Sequence, residues 1–171
     1  MVLDAMLFAV LGISVYTDLK YNKIFNAVLA PAAAAALLGN LYLFGAAGGL
    51  DSLKGMMLGM AFLFVPFALG GMGGGDVKLM GVVGAFKGPG FVWTAFICSA
   101  LAGGLLSLGV MAAEGRLLLR LRAVFYTFLS ILGVMPRGLN LLGHPKTGST
   151  GSFPYGVAIA AGTILAYFLA R

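Results

Sequence analysis

Five acidic side chains are all that this chain carries: Asp4, Asp18, Asp51, Asp76 and Glu114. One histidine, His144, and one cysteine, Cys98, complete its inventory of strongly reactive groups. A Ser-His triad, a histidine metal site and a cysteine cluster therefore all lack parts, and Cys98 in an apolar run reads as packing. What remains is carboxylate chemistry. Asp76 closes the run Gly70-Gly71-Met72-Gly73-Gly74-Gly75, and Asp18 ends a long apolar stretch beside Lys20 and Lys23. Two carboxylates held close cannot both ionise cheaply, so they share a proton. The ionised one can take a proton from water while the other polarises a peptide carbonyl, which is the chemistry of an aspartic peptidase. The structural alternative is that each Asp is an interfacial charge paired with Lys20, Lys23 or Lys78, with Asp76 at or near a helix N-cap. Gly73 and Gly75 fit the catalytic reading if bare backbone, free to adopt positive φ, lets an extended peptide approach.

The elements that must position these residues are membrane helices. The 171 residues are 61% hydrophobic and 9% charged, against about 25% charged in soluble domains. No ten-residue alternation suggests a barrel, so the sequence predicts an all-α polytopic membrane protein. About six transmembrane helices are expected, in a single domain over 1–171. The predicted spans are 2–17, 24–44, 55–69, a short fourth helix starting at Asp76 and ending near Lys87-Gly88-Pro89-Gly90, 91–113 and 153–170. A loop is expected over 45–54. Arg116 and Arg120 would form an interfacial basic stripe, 124–135 an interfacial or re-entrant segment, and 136–152 a polar loop. The first lysine, Lys20, follows the first apolar stretch, so that stretch reads as a retained helix and not as a cleaved signal.

The net charge of +6 does not indicate nucleic acid, because the basic residues sit at segment ends, where they anchor and orient helices. With the N-terminus outside and six crossings, Lys20, Lys23, Lys78, Arg116, Arg120, Arg122, Arg137 and Lys146 fall inside. Lys54, Lys87 and Arg171 fall outside. Asp18 and Asp76 then share the cytoplasmic side, while Asp4 and Asp51 lie opposite. Glu114 is on the inner side but beside arginines.

The residues around both aspartates resemble the type IV prepilin peptidases. Gly73-Gly74-Gly75-Asp76-Val77-Lys78-Leu79 is similar to that family's Gly-x-Gly-Asp-[Val/Ile]-Lys-Leu motif. Asp18-Leu19-Lys20-Tyr21-Asn22-Lys23-Ile24-Phe25-Asn26 resembles its first motif, with Phe25 where the family has proline. Phe153-Pro154-Tyr155-Gly156 resembles the Pro-[Tyr/Phe]-Gly that opens its last helix. The resemblance implies an aspartic endopeptidase of the prokaryotic cytoplasmic membrane, with its active site facing the cytoplasm. Its partners would be membrane lipid and a pilin-like precursor, whose short basic leader it removes. Asp18 and Asp76 would be the catalytic pair, and Gly73, Gly75, Lys78 and Asn26 the matching positions around it. No metal or cofactor is implied. Larger members carry a cysteine-paired domain that accompanies N-methylation, which is not expected here. The compact form resembles the peptidases of tight-adherence (Flp-type) pilus systems or the archaeal preflagellin peptidases, with the former preferred. The competing readings are a presenilin- or signal-peptide-peptidase-like intramembrane protease and a small transporter or pilus-assembly subunit.

Overall fold

A computed structural model describes residues 2–69, 71–113 and 155–169. They form four helices: α1 (Val2–Tyr21), α2 (Asn26–Ala68), α3 (Gly74–Ala113) and α4 (Tyr155–Leu169). The described residues contain no strand. The expected basic stripe at 116–120, the segments 124–135 and 136–152, Glu114, His144, Phe153 and Pro154 lie outside the described residues. The chain divides into two units, Met1–Gly103 with Phe153–Arg171, and Gly104–Ser152. Everything below concerns the first.

α1 runs four residues past its expected end and takes Asp18 into its last turn. It stops at Asn22, whose left-handed φ of 50° is a conformation that Asn tolerates better than most residues. The Asn22 N–H donates to the Asp18 carbonyl oxygen at 2.8 Å. The chain then passes through Phe25 in extended conformation, φ −80° and ψ 129°. A proline would fix much the same φ, so Phe25 takes a backbone conformation that a proline would also adopt.

α2 has 43 residues, about 64 Å if straight and roughly twice the hydrocarbon thickness of a bilayer. It is not straight. Gly45, at φ 65° and ψ −159°, breaks it. A Cβ placed on Gly48 would lie 2.6 Å from the Asn40 carbonyl oxygen. Residues eight apart in an unbroken helix are separated by about 12 Å of rise, so the chain folds back here. The expected 45–54 loop is therefore a helical segment with one non-helical residue. Gly48 and Gly49 serve close approach to Asn40 and Leu41, not looseness.

α3 breaks at Gly88, φ 79° and ψ 177°, at the Lys-Gly-Pro-Gly turn expected from sequence. Pro89 has no N–H, so the Ala85 carbonyl loses its helical donor. The Ser52 hydroxyl (2.6 Å) and the Asn40 amide (3.1 Å) supply replacements. In an apolar surrounding an unsatisfied carbonyl costs several kcal/mol, which explains why two polar residues of α2 are held at that spot. The same halves of α2 and α3 pack glycine to backbone. A side chain on Gly55 would strike the Gly84 carbonyl, and one on Gly59 the Met80 carbonyl.

Three helices, α1, α2 and α3, are long and apolar enough to cross a membrane, and α4 is a shorter apolar helix. The described residues are thus those of an all-helical membrane protein with three candidate spans, and six separate crossings are not shown among them. Leu7 and Leu11 of α1, Leu79, Met80 and Val83 of α3 and Ala166 of α4 lie in one buried cluster. That cluster fixes which ends of these helices meet.

Candidate active site

Asp18 stands in the last turn of α1 and is 5% exposed. Its Oδ2 accepts a 2.9 Å hydrogen bond from the Gly156 N–H. Gly156 is in the first turn of α4, where backbone amides have no intrahelical acceptor and the helix dipole favours negative charge. A residue 138 positions away thus supplies the donor that the end of α1 cannot. The approach leaves no room for a side chain: a Cβ at 156 would lie 2.7 Å from Asp18 Oδ2.

Asp76 is 8% exposed. The helix begins at Gly74 and not at Asp76 as expected, so Asp76 is its third residue. Its Oδ2 accepts from the Gly73 N–H at 3.1 Å, and its own N–H donates to the Gly73 carbonyl at 3.2 Å. This reciprocal pair has the form of a capping box, with the carboxylate reaching back to the residue before the helix. It satisfies two backbone groups and fixes the side chain.

Asp18 lies within electrostatic reach of Asp76, and Ile24 sits against the backbone beside each. A Cβ on Gly75 would come 3.0 Å from Ile24 Cβ, and one on Gly156 would come 3.2 Å from Ile24 Cδ1. Neither Gly73 nor Gly75 has a positive φ; among the described glycines only Gly45 and Gly88 do. The space beside Gly75 is filled by Ile24, and that beside Gly73 faces the Asp76 carboxylate at 3.3 Å. Gly73 itself is exposed. The two glycines are therefore close-approach positions, and only Gly73 opens to the outside.

Neither aspartate has an ion-pair partner among the described residues. Lys78 Nζ instead donates to Asn26 Oδ1 at 2.9 Å, which ties the start of α3 to the start of α2. Lys20 donates to the Tyr16 hydroxyl at 3.2 Å and lies 5.3 Å from the centre of the Tyr21 ring. Lys23 is exposed. The interfacial-pair alternative for Asp18 and Asp76 thus has no support here. The motif residues Lys78 and Asn26 meet each other, not the carboxylates. Sequence reasoning gave no role to Gly156 or Ile24, although the Pro-Tyr-Gly string and the Lys23-Ile24-Phe25-Asn26 stretch contained them.

At the other end of the same helices, Lys87 donates to Asp4 Oδ1 at 2.9 Å, and the Tyr167 hydroxyl donates to the same oxygen. A cavity of about 990 Å³ opens beside this cluster, between Asp4, Asn40, Asp51 and Lys87. It is remote from Asp18 and Asp76. No group of three or more potential metal ligands occurs among the described residues.

A family model described as the type IV leader peptidase family matches residues 5–108, more than half of the chain. The matched stretch includes both buried aspartates, Ile24 and the Lys78–Asn26 pair; Gly156 lies beyond it. Neither the curated proteins nor the solved structures gave a match.

Proposed function

The chain belongs to the type IV leader peptidase family, and from that premise we propose that it is an aspartic endopeptidase of the prokaryotic cytoplasmic membrane. In this reading it removes the short basic leader from a pilin-like precursor at the cytoplasmic face, and Asp18 and Asp76 activate the water. The observation that carries the proposal is the pair of buried carboxylates at one end of the helices, fixed by backbone amides and without cationic partners among the described residues.

The chemistry follows from that arrangement. Burial and mutual repulsion favour one shared proton between the two carboxylates. The ionised oxygen takes a proton from water as the water attacks the scissile carbonyl. The protonated partner donates a hydrogen bond to the carbonyl oxygen as negative charge develops there. Proton return to the leaving amine completes hydrolysis with no covalent enzyme intermediate. The Gly156 and Gly73 amides keep one oxygen of each carboxylate in place, leaving the second for water or substrate. Both aspartates stand within three residues of a helix end, which favours cleavage at the membrane edge over cleavage deep in the bilayer. Taking the breaks at Gly45 and Gly88 as turns gives six crossings in one catalytic domain. The charge distribution then favours an Asp18/Asp76 end on the inner side.

The test is co-expression with a pilin precursor of the tight-adherence type, followed by mass spectrometry of its N-terminus. The account expects a product shortened by its basic leader. A precursor left at full length in membranes that contain the protein contradicts it. A preflagellin precursor assayed in parallel separates the two substrate classes.

A further inference from the structure

Ser14 is one turn before Asp18 on α1, and both side chains are buried, Ser14 at 1% exposure. A serine inside a helix ordinarily returns its hydroxyl to the carbonyl three or four residues earlier. Ser14 does not. Its Oγ is the buried side-chain polar atom that has no hydrogen-bond partner among the described residues. The other buried hydroxyls are partnered: Thr17 donates to the Ser14 carbonyl at 3.0 Å, Ser99 to Ala95 at 2.6 Å, Thr163 to Ile159 at 2.7 Å, and Ser52 across to Ala85 at 2.6 Å. An orphaned hydroxyl in an apolar helix bundle costs about 1–3 kcal/mol unless something satisfies it.

The setting identifies what does. Residues four apart on a helix have Cβ atoms about 6 Å apart on one face. Ser14 Oγ makes no direct bond to the Asp18 carboxylate, and a water between the two would give each a hydrogen-bond partner. α4 runs antiparallel to α1, with Gly156 at Asp18 and Tyr167 at Phe8, and this register sets Ala160 level with Ser14. A water needs polar partners, and the hydroxyl and the carboxylate supply them.

We propose that Ser14 holds a buried water that hydrogen-bonds to the Asp18 carboxylate from inside the bundle, making Ser14 a positioning residue. The Gly156 amide fixes the carboxylate from α4, and the water fixes it from α1. The carboxylate plane is then set by two contacts in place of one. This inference rests on the peptidase reading for its catalytic consequence, but the water link itself does not.

Infrared difference spectroscopy on the full protein in lipid nanodiscs reads the link directly. Ser14→Ala removes one oxygen and adds no bulk, so the variant can be compared with the wild type at equal folded amount. The expected result is a shift of a carboxyl band between wild type and Ser14→Ala, absent when the same pair is compared in an Asp18→Asn background. Coincident spectra overturn the proposal. In precursor cleavage, kcat is expected to fall about tenfold, the equivalent of ~1.4 kcal/mol, with KM unchanged. A shifted band with wild-type kcat overturns the positioning role. A shifted band in a protein that cleaves no precursor leaves the water link standing and removes the peptidase reading.

Discussion

The same three helices meet at two ends, and the two ends are built on opposite principles. At one, α1 offers Asp4, α3 offers Lys87 and α4 offers Tyr167, and the ammonium and the phenol both donate to one carboxylate oxygen. Lys87 also lies 4.3 Å from the centre of the Tyr167 ring. At the other, α1 offers Asp18, α3 offers Asp76 and α4 offers the bare amide of Gly156. Among the described residues, charge is neutralised at the first end and left to two like-charged groups at the second. An ion pair with a phenol holds helices together and has no reason to react. Two buried carboxylates cost stability, and the proposed dyad is the chemistry that such a pair would serve. The cavity beside Asp4 and Lys87 is a poorer guide to the proposed reaction than the lack of counter-ions for Asp18 and Asp76 among the described residues.

The largest effects should come from the second end. Replacing either Asp18 or Asp76 by Asn is expected to lower leader cleavage by about 10³-fold, within the range for a positioned acid or base. Gly156→Ala comes next. Its methyl would press on Asp18 Oδ2, and a displacement of about 1 Å costs on the order of 10²-fold. Quantifying shortened precursor against time checks both. If Gly156→Ala cleaves at the wild-type rate, the α4 amide does not position Asp18.

The first end should respond in the other observable. Lys87→Met leaves Asp4 half-buried without its ammonium, and a loss of about 2 kcal/mol is expected, between exposed and buried pairs. For a chain of this size that is roughly 5 °C in thermal melting. Cleavage at permissive temperature should stay within about twofold of wild type. A variant that melts normally but fails to cleave would join the two ends functionally and break the contrast. Smallest of all should be Lys78→Met. Its bond to Asn26 is exposed, worth about 1 kcal/mol, and cleavage should change by less than about threefold. A loss comparable to that of Asp76→Asn would mean that Lys78 contacts the substrate.

Much of this contrast could be read from the chain, and the rest could not for physical reasons. Asp18 and Asp76 stood out because an apolar chain has few acids and both adjoin helix ends. The break at Gly88 was legible because glycine and proline are local signals. Gly45 was harder: the signal was spread over 45–54, and only packing against Asn40 and Leu41 shows that one residue turns the chain while its neighbours stay helical. The start of α3 at Gly74 was obscured because a glycine run has no propensity to mark the boundary, and the Asp76 side chain caps backwards. Gly156 had no role because its partner is on another helix and its contribution is an amide that every residue owns. Ser52 and Asn40 likewise gained meaning only once Pro89 left the Ala85 carbonyl without a donor.

The measurement that tests the account most directly is leader removal from a pilin precursor by Asp18→Asn, Asp76→Asn and Asp4→Asn, each in membranes with matched amounts of protein. The account predicts no detectable shortened precursor from the first two and substantial cleavage from the third. Wild-type cleavage by Asp18→Asn or by Asp76→Asn would contradict it.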